Sequence, residues 1–336
     1  MKPDNQKESC KSSELKPLPV LCVIVPCYNE EEILPYSFAT LQNELNQLAI
    51  KQKINSESYL CFIDDGSIDS TWAIIERQSS INKYSKGIKL SSNFGHQNAL
   101  VAGLFSEYRK ADCLITIDAD LQDDVETIEK MVEAYRNGYK VVYGVRNDRQ
   151  VDVWYKRIAA HWYYFLMTCM DKKTVYNHAD FRLADREVIR HLEQFGEVNL
   201  YLRNIFPLVG FSSTCVYYER KERLSGTSKY PVSKLMSLAW QGITSFSTTP
   251  LKLIFKIGLI TLIVTFALLG WVLVATIAGN GVQGWASTVM PVLFFSGLNM
   301  LALGVIGEYV GKIYQEVKNR PRFIIEKETD KTDGYK

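Results

Sequence analysis

The sequence predicts an α/β fold, a doubly wound and mostly parallel sheet followed by a membrane hairpin, and three observations carry that expectation. Apolar, β-favouring runs alternate with segments of helical periodicity from Val20 to Arg146, the pattern of a parallel sheet with covering helices. Each apolar run stops at a cluster of polar residues. From Ile257 through Gly307 no charged residue occurs, which is long enough for two helices of roughly 20 residues to cross a bilayer.

The first strand, Val20-Leu21-Cys22-Val23-Ile24-Val25, is ended by Pro26. Asn29 with Glu32 has the form of a capping box, and Leu34, Phe38, Leu41, Leu45 and Leu48 mark one face of the helix that follows. A second strand, Tyr59 to Ile63, ends in Asp64-Asp65-Gly66-Ser67, with Asp69 the expected N-cap of the next helix. The third, Gly87 to Leu90, leads through Ser91-Ser92-Asn93 to a helix near Gln97 to Tyr108. The fourth begins at Leu114 and precedes an amphipathic helix from about Val125 to Tyr135; the fifth, Tyr139 to Val145, ends at Arg146.

In sheets of this kind ligands bind outside the carboxyl ends of the strands. Tyr28 and Glu30, Asp64 and Asp65, Asn93, Asp118 and Asp120, and Arg146 all follow strand ends, so the topology brings them to one rim. The richest stretch is Leu114-Ile115-Thr116-Ile117-Asp118-Ala119-Asp120-Leu121-Gln122-Asp123. Strand alternation puts Asp118 and Asp120 on one side of the chain. Carboxylates that close repel, and a hard divalent cation with oxygen ligands would hold them together. A solvated turn is the alternative for Asp-x-Asp alone. No G-x-G-x-x-G follows the first strand and no G-x-x-x-x-G-K-[ST] occurs, which disfavours a dinucleotide enzyme and a P-loop NTPase.

Between Asp148 and Ser213 the pattern is less regular. Trp154, Ile158, Trp162, Phe165 and Leu166 share a helix face of core character, and His161, His178 and His191 are isolated. Asp180 lies among apolar residues with Arg182 close behind. A structural ion pair, a helix cap and an active-site role all fit that pattern.

Val232, Leu235, Met236, Ala239, Trp240, Ile243 and Phe246 follow helical spacing, as in an amphipathic helix lying in the headgroup region; packing on the soluble domain is the alternative. Ile257 to Ala278 and about Trp285 to Gly307 are the expected spans, joined by Gly279-Asn280-Gly281-Val282-Gln283-Gly284. Lys252 and Lys256 precede the hairpin, Lys312, Lys318, Arg320 and Arg322 follow it, and the turn has no basic residue. The positive-inside rule then puts both ends in the cytoplasm.

A net charge of +2 excludes little, but basic residues outnumber acidic ones seven to two between Glu219 and Lys256. Seven cysteines, an odd number without C-x-x-C spacing, fit reduced thiols in the cytosol. Met1 to Pro19 is polar, without the apolar core of a signal peptide. The expected organisation is a disordered leader at 1–18, a catalytic domain at 19–230, an interfacial helix at 231–250, two spans within 251–313 and a cytoplasmic tail at 314–336.

Val25-Pro26-Cys27-Tyr28-Asn29-Glu30, Asp64-Asp65-Gly66-Ser67, Asn93-Phe94-Gly95-His96-Gln97 and Asp118-Ala119-Asp120-Leu121-Gln122-Asp123 together resemble glycosyltransferase family 2. Asp180-Phe181-Arg182-Leu183, Gly226-Thr227-Ser228-Lys229-Tyr230 and Gly307-Glu308-Tyr309-Val310-Gly311-Lys312-Ile313-Tyr314 narrow the resemblance to the polyprenyl-phosphate glycosyltransferases, especially the bactoprenol glucosyltransferase branch. It covers about Val20 to Ile325.

The resemblance implies a GT-A fold (Rossmann-like), a Mg²⁺ or Mn²⁺ ion, a nucleotide-sugar donor, a polyprenyl phosphate acceptor, a homo-oligomer (tetramer) and no nucleic acid. Carried over by motif, Pro26, Tyr28, Glu30, Asp65 and Asn93 would hold the donor with Asp118 and Arg146. Asp118, Asp120 and Gln122 would hold the metal, and Asp180 and Asp120 would be the catalytic pair. Arg220, Arg223, Ser228 and Lys229 would receive the acceptor phosphate, although a basic stripe drawn to anionic lipid would look the same. The implied activity is inverting transfer of one hexose, glucose from UDP-glucose, to undecaprenyl phosphate at the cytoplasmic face of a bacterial inner membrane. Another sugar on the same acceptor, or a non-catalytic membrane-anchored nucleotide-sugar binding protein, is the alternative. The chemistry is consistent: the acceptor phosphate has a second pKa near ~6 and is already nucleophilic at neutral pH, while a metal and an arginine can neutralise a diphosphate leaving group.

Overall fold

The computed structural model describes residues 17–146, 178–197, 202–219, 249–277 and 285–329. In order these form β1 (Leu21–Cys27), α1 (Leu34–Ile50), β2 (Tyr59–Asp64), α2 (Thr71–Ile81), β3 (Ser85–Leu90), α3 (His96–Glu107), β4 (Cys113–Thr116), α4 (Thr127–Arg136) and β5 (Val141–Arg146). There follow β6 (His178–Asp185), α5 (Arg186–Leu192), α6 (Leu202–Val209), β7 (Ser213–Tyr218), α7 (Thr249–Ile277), α8 (Trp285–Lys318) and β8 (Ile325–Glu328).

The strands make one eight-stranded sheet in the order β7-β5-β6-β4-β1-β2-β3-β8. Every residue of β1 and β2 is buried, because helices cover both faces of the sheet and leave no solvent side to favour alternation. Leu21, Val23 and Val25 pack with Leu34, Phe38, Leu41, Leu45 and Leu48 of α1 and with Ile128, Met131 and Val132 of α4. Cys22 and Ile24 face the other way, against Leu100 and Leu104 of α3, Val188 and Ile189 of α5 and Phe206 of α6. Gly103 permits the close seating of α3, since a Cβ there would lie 2.5 Å from Ile24 Cγ2.

The mostly parallel sheet is as expected, with two departures. β6 runs antiparallel to both β4 and β5, pairing Thr116 with Arg182 and Tyr143 with Arg182. β8, from the expected tail, lies antiparallel on β3. Two helix starts also differ. Asn29 does not cap α1: its N-cap is Ile33, without a side-chain cap bond. Asn29 instead takes a left-handed φ of 54°, its Oδ1 accepts from Ile68 N at 3.0 Å and its own N–H donates to Ser67 Oγ at 3.0 Å. Pairing with the loop after β2 outweighs a local cap because it satisfies both backbones at once. Ser70 is the N-cap of α2, and Asp69 Oδ1 accepts from Thr71 N at 3.0 Å from one position upstream.

α7 and α8 are the two long C-terminal helices. Among the described residues one segment, Phe294–Lys318, is long and apolar enough to cross a membrane. Large apolar side chains such as Phe294, Met300 and Leu301 are exposed along it. The face from Trp154 to Leu166, the segment from Val232 to Phe246 and the turn from Gly279 to Gly284 lie outside the described residues.

Candidate active site

The parallel strands end on one rim, and the antiparallel β6 starts there, which brings Asp180 to the same edge. Pro26 is buried in register with Ile63, while Tyr28 beyond it is 46% exposed. The Glu30 backbone carbonyl accepts from Ile33 N and Leu34 N at 3.2 and 3.0 Å, and its N–H donates to Thr71 Oγ1 at 2.9 Å. Pro26, Tyr28 and Glu30 thus form the lip over the ends of β1 and β2.

Asp65 organises the neighbouring loop. Its Oδ1 accepts from Phe94 N at 2.8 Å and its Oδ2 from Gly95 N at 2.9 Å. Burial pushes this carboxyl up, against the two amides that pull it down. Gly66 is required beside it: φ is +68°, and a Cβ would lie 2.4 Å from the Ser92 carbonyl carbon. Asn93 is exposed on the loop so held.

Asp118 to Asp123 form a tight loop after β4. Leu121 adopts φ of 45°, a rare conformation for a branched side chain, of the kind found at ligand sites. Leu121 N donates to Asp118 O at 3.2 Å, and Gln122 N to Asp120 Oδ1 at 3.3 Å. Ser37 Oγ fastens the loop from beneath, donating to Ala119 O at 2.5 Å. Gln122 and Asp123 are buried, Asp118 and Asp120 partly so.

Desolvation, with Asp123, Asp180 and Asp120 nearby, pushes the Asp118 carboxyl up to about 6, although His96 opposes the shift. Such mutual repulsion suits a cation. Among the described residues no three acidic, His or Cys side chains stand ready to ligate a metal. The donors Asp118, Asp120 and Gln122 nevertheless offer only oxygens at a kinked loop, and Mg²⁺ typically takes one or two carboxylates and completes its shell from phosphates and water. The residues present fit a hard divalent ion arriving with a diphosphate.

Asp180 and Arg146 are each engaged. Arg182 Nη2 donates to Asp180 Oδ1 at 2.7 Å, Arg203 Nε to Oδ1 at 3.2 Å and Arg203 Nη2 to Oδ2 at 3.0 Å. Gln97 Nε2 adds a bond to Oδ2 at 3.3 Å, while its Oε1 accepts from Leu202 N at 3.2 Å. Burial would raise the Asp180 pKa, but His96 and the two guanidinium groups outweigh it and hold the carboxyl well below the usual range. Arg182, itself buried, stacks over the Phe206 ring at 4.8 Å. Arg146 Nη2 donates to Asp123 Oδ1 at 3.0 Å, and Tyr218 OH donates to the same oxygen at 2.5 Å.

His96 bridges the two halves, its Nε2 lying 3.6 Å from Asp118 Oδ1 and 3.7 Å from Asp180 Oδ2. Burial pulls its pKa down, yet the two carboxylates raise it above the ordinary histidine value. His96, Gln97, Asp123, Arg203 and Tyr218 were not among the expected site residues. His96, Gln97 and Asp123 stand just past strand ends, a signal already used for their neighbours; Arg203 and Tyr218 carry no such local signal. Arg220, Arg223, Ser228 and Lys229 lie outside the described residues.

Comparison with known proteins identifies a family and relatives of the chain. Residues 22–193 match the Glycosyl transferase family 2 model. Over 308 residues the chain is 42% identical to "Uncharacterized glycosyltransferase YkoT" of Bacillus subtilis (strain 168), covering 92% of this chain and 91% of that protein. Over 309 residues it is 38% identical to the SfII prophage-derived bactoprenol glucosyl transferase of Shigella flexneri, covering 91% and 97%. Among solved structures it is similar, at a TM-score of 0.45 and 15% identity over 90% of this chain and 87% of the other, to the mannosyltransferase PcManGT from Pyrobaculum calidifontis in complex with GDP-Man and Mn²⁺. With the family matched over half the chain and relatives aligned over nearly all of it, this protein belongs to glycosyl transferase family 2 and is a glycosyltransferase.

Proposed function

We propose that this enzyme transfers one glucose from UDP-glucose to undecaprenyl phosphate, or a closely similar polyprenyl phosphate, with inversion at the cytoplasmic face of a membrane. One observation carries the reading: an acidic loop and arginine site at the rim of the sheet stands in one chain with a membrane-length helix. Relatives named bactoprenol glucosyl transferase align with 91% of this chain.

In this reading Pro26, Tyr28, Glu30 and Asp65 shape the nucleoside end of the donor pocket. Asp118, Asp120 and Gln122 hold Mg²⁺ or Mn²⁺, which when bound neutralises charge on the leaving diphosphate. Arg146 faces the same diphosphate. An acceptor phosphate oxygen attacks the anomeric carbon, the bond from that carbon to the diphosphate oxygen breaks, and its electron pair leaves with UDP. No proton need be removed from a dianionic acceptor. Asp180 orients Arg203 at the reacting centre, and Arg220, Arg223, Ser228 and Lys229 lead the lipid phosphate toward it. Both α7 and α8 cross the bilayer as a hairpin in this arrangement, supported by the charge-free run from Ile257 to Gly307, and the tetramer is kept as the expected assembly.

Purified protein in undecaprenyl phosphate vesicles, offered a panel of UDP- and GDP-sugars, tests the reading. Lipid-linked glucose from UDP-glucose is expected, lost on chelation. Absence of any lipid-linked sugar with every donor overturns it, and preference for another donor corrects the sugar alone.

A further inference from the structure

The chain that follows α8 ties both sides of the active-site rim to the membrane helix. The charge-free run ends at Gly307, and α8 continues from Glu308 to Lys318, about three more turns or ~16 Å at 1.5 Å per residue. This stalk ends at Asn319, whose φ is 44° and whose N–H donates to Glu316 O at 3.0 Å. Arg322 then turns back onto the catalytic domain. Its Nε donates to Glu197 O at 2.9 Å and its Nη2 to Phe195 O. Those carbonyls stand between α5 and α6, and α6 carries Arg203.

The next residues grip the opposite side. Ser91 N donates to Ile324 O at 2.9 Å, at the start of the loop that Asp65 holds through Phe94 and Gly95. β8 pairs with β3, and Thr329 closes the strap in both directions with Gly87, N to O and Oγ1 from N, each at 2.9 Å. Lys89–Glu326 and Lys327–Glu76 ion pairs flank it, and Phe323 and Ile325, partly buried, pack against the hydrophobic core. Exposed ion pairs of this sort contribute little; the backbone pairing and the two apolar side chains hold the strap.

We infer that residues 319–329 are a positioning strap that fixes the catalytic rim at a set height over the membrane, with Arg322 its key positioning residue. This rests on the proposed membrane-lipid acceptor. A rim held by one rigid stalk presents Arg203 and the loop through Gly95 to a headgroup in constant register. Once the strap is released, the rim moves as a unit relative to the stalk and a lipid anchored in the bilayer meets it out of register. A short, water-soluble acceptor finds the site without reference to the bilayer.

Arg322→Ala, Arg322→Lys and a chain ending at Ile324 would be compared with wild type in vesicles. With undecaprenyl phosphate, kcat/KM is expected to fall at least tenfold in Arg322→Ala and in the truncated chain. Citronellyl phosphate in detergent and the donor KM should change less than twofold, and Arg322→Lys, which can still donate to both carbonyls, should recover most of the loss. Equal loss on both acceptors, or loss on neither, overturns the strap. Amide exchange separates this from failure of the acceptor reading: Gly87 and Ser91, whose N–H groups donate to Thr329 Oγ1 and Ile324 O, should exchange at least tenfold faster in the truncated chain, whatever the substrate. Unchanged exchange there overturns the inference by itself.

Discussion

Arg203 meets Asp180 at two atoms, with Nε 3.2 Å from Oδ1 and Nη2 3.0 Å from Oδ2, across 23 positions of chain. Arg182 takes a further place on Oδ1 at 2.7 Å. A carboxylate shared by two guanidinium groups is a weak base and a strong positioning element. Charge-assisted, forked contacts of this kind fix orientation as well as energy.

Asp180→Asn is therefore expected to lower kcat at least tenfold by the same factor at pH 6 and pH 8.5. A loss confined to low pH would instead make Asp180 a proton acceptor. The substitution also breaks a largely buried ion pair, worth on the order of 3 kcal/mol, at the low end because Arg203 is partly exposed. Because the folded-state pKa is depressed, this stabilisation is full above the unfolded carboxyl value near ~3.9 and fades as pH falls through the folded value. Thermal melts of wild type and variant should converge only in that acidic range.

Metal dependence is expected to centre on Asp120. Asp120→Ala should reduce transfer by ~10²-fold or more, the scale of losing a principal electrostatic stabiliser, while circular dichroism and melting in detergent stay close to wild type. Full activity of the wild-type enzyme in excess EDTA would sink the assignment.

Tyr218→Phe removes the hydroxyl that donates to Asp123 Oδ1 at 2.5 Å and accepts from Arg146 Nε at 3.2 Å. The ring keeps its edge contact with Phe181, at 5.5 Å between centroids. The expected cost is about 1–2 kcal/mol of stability and a rise in donor KM larger than any fall in kcat, because Arg146 loses one of the groups that aim it. Unchanged donor KM with lowered stability would show that Tyr218 serves the fold alone.

Lys229→Ala should raise the apparent KM for lipid phosphate several-fold more than that for the nucleotide sugar. Initial-rate measurements with each substrate varied at saturation of the other decide it. Equal effects on both would place Lys229 at the donor or leave it to general attraction of anionic lipid.

Much of the rim was legible from residue order alone. The apolar runs at Leu21–Val25, Tyr59–Ile63 and Leu114–Thr116 are buried strands, and the α1 face from Leu34 to Leu48 is buried at every expected position. Such features are local: strand and helix periods, and polar residues where a parallel strand must end, are written within a few residues of each other. The same logic reached Tyr28, Asp65, Asn93, Asp118 and Arg146 but passed over His96 and Asp123, one turn further on.

By itself, then, the sequence determined a doubly wound core, an acidic loop at the end of β4 and a long charge-free run near the C-terminus, since each depends on side chains adjacent in the chain. Tertiary structure decided the rest. β6 is antiparallel because it fills the gap between β4 and β5, and only that direction carries Asp180 to the rim. Arg203 reaches Asp180 because α6 packs over the sheet through Leu202, Ile205 and Phe206. Ile325-Glu326-Lys327-Glu328 has no apolar alternation of its own and becomes a strand only because the edge of β3 offers unpaired backbone groups. Pairing and packing across long stretches of chain obey the whole surface they meet, and no local spacing encodes that surface.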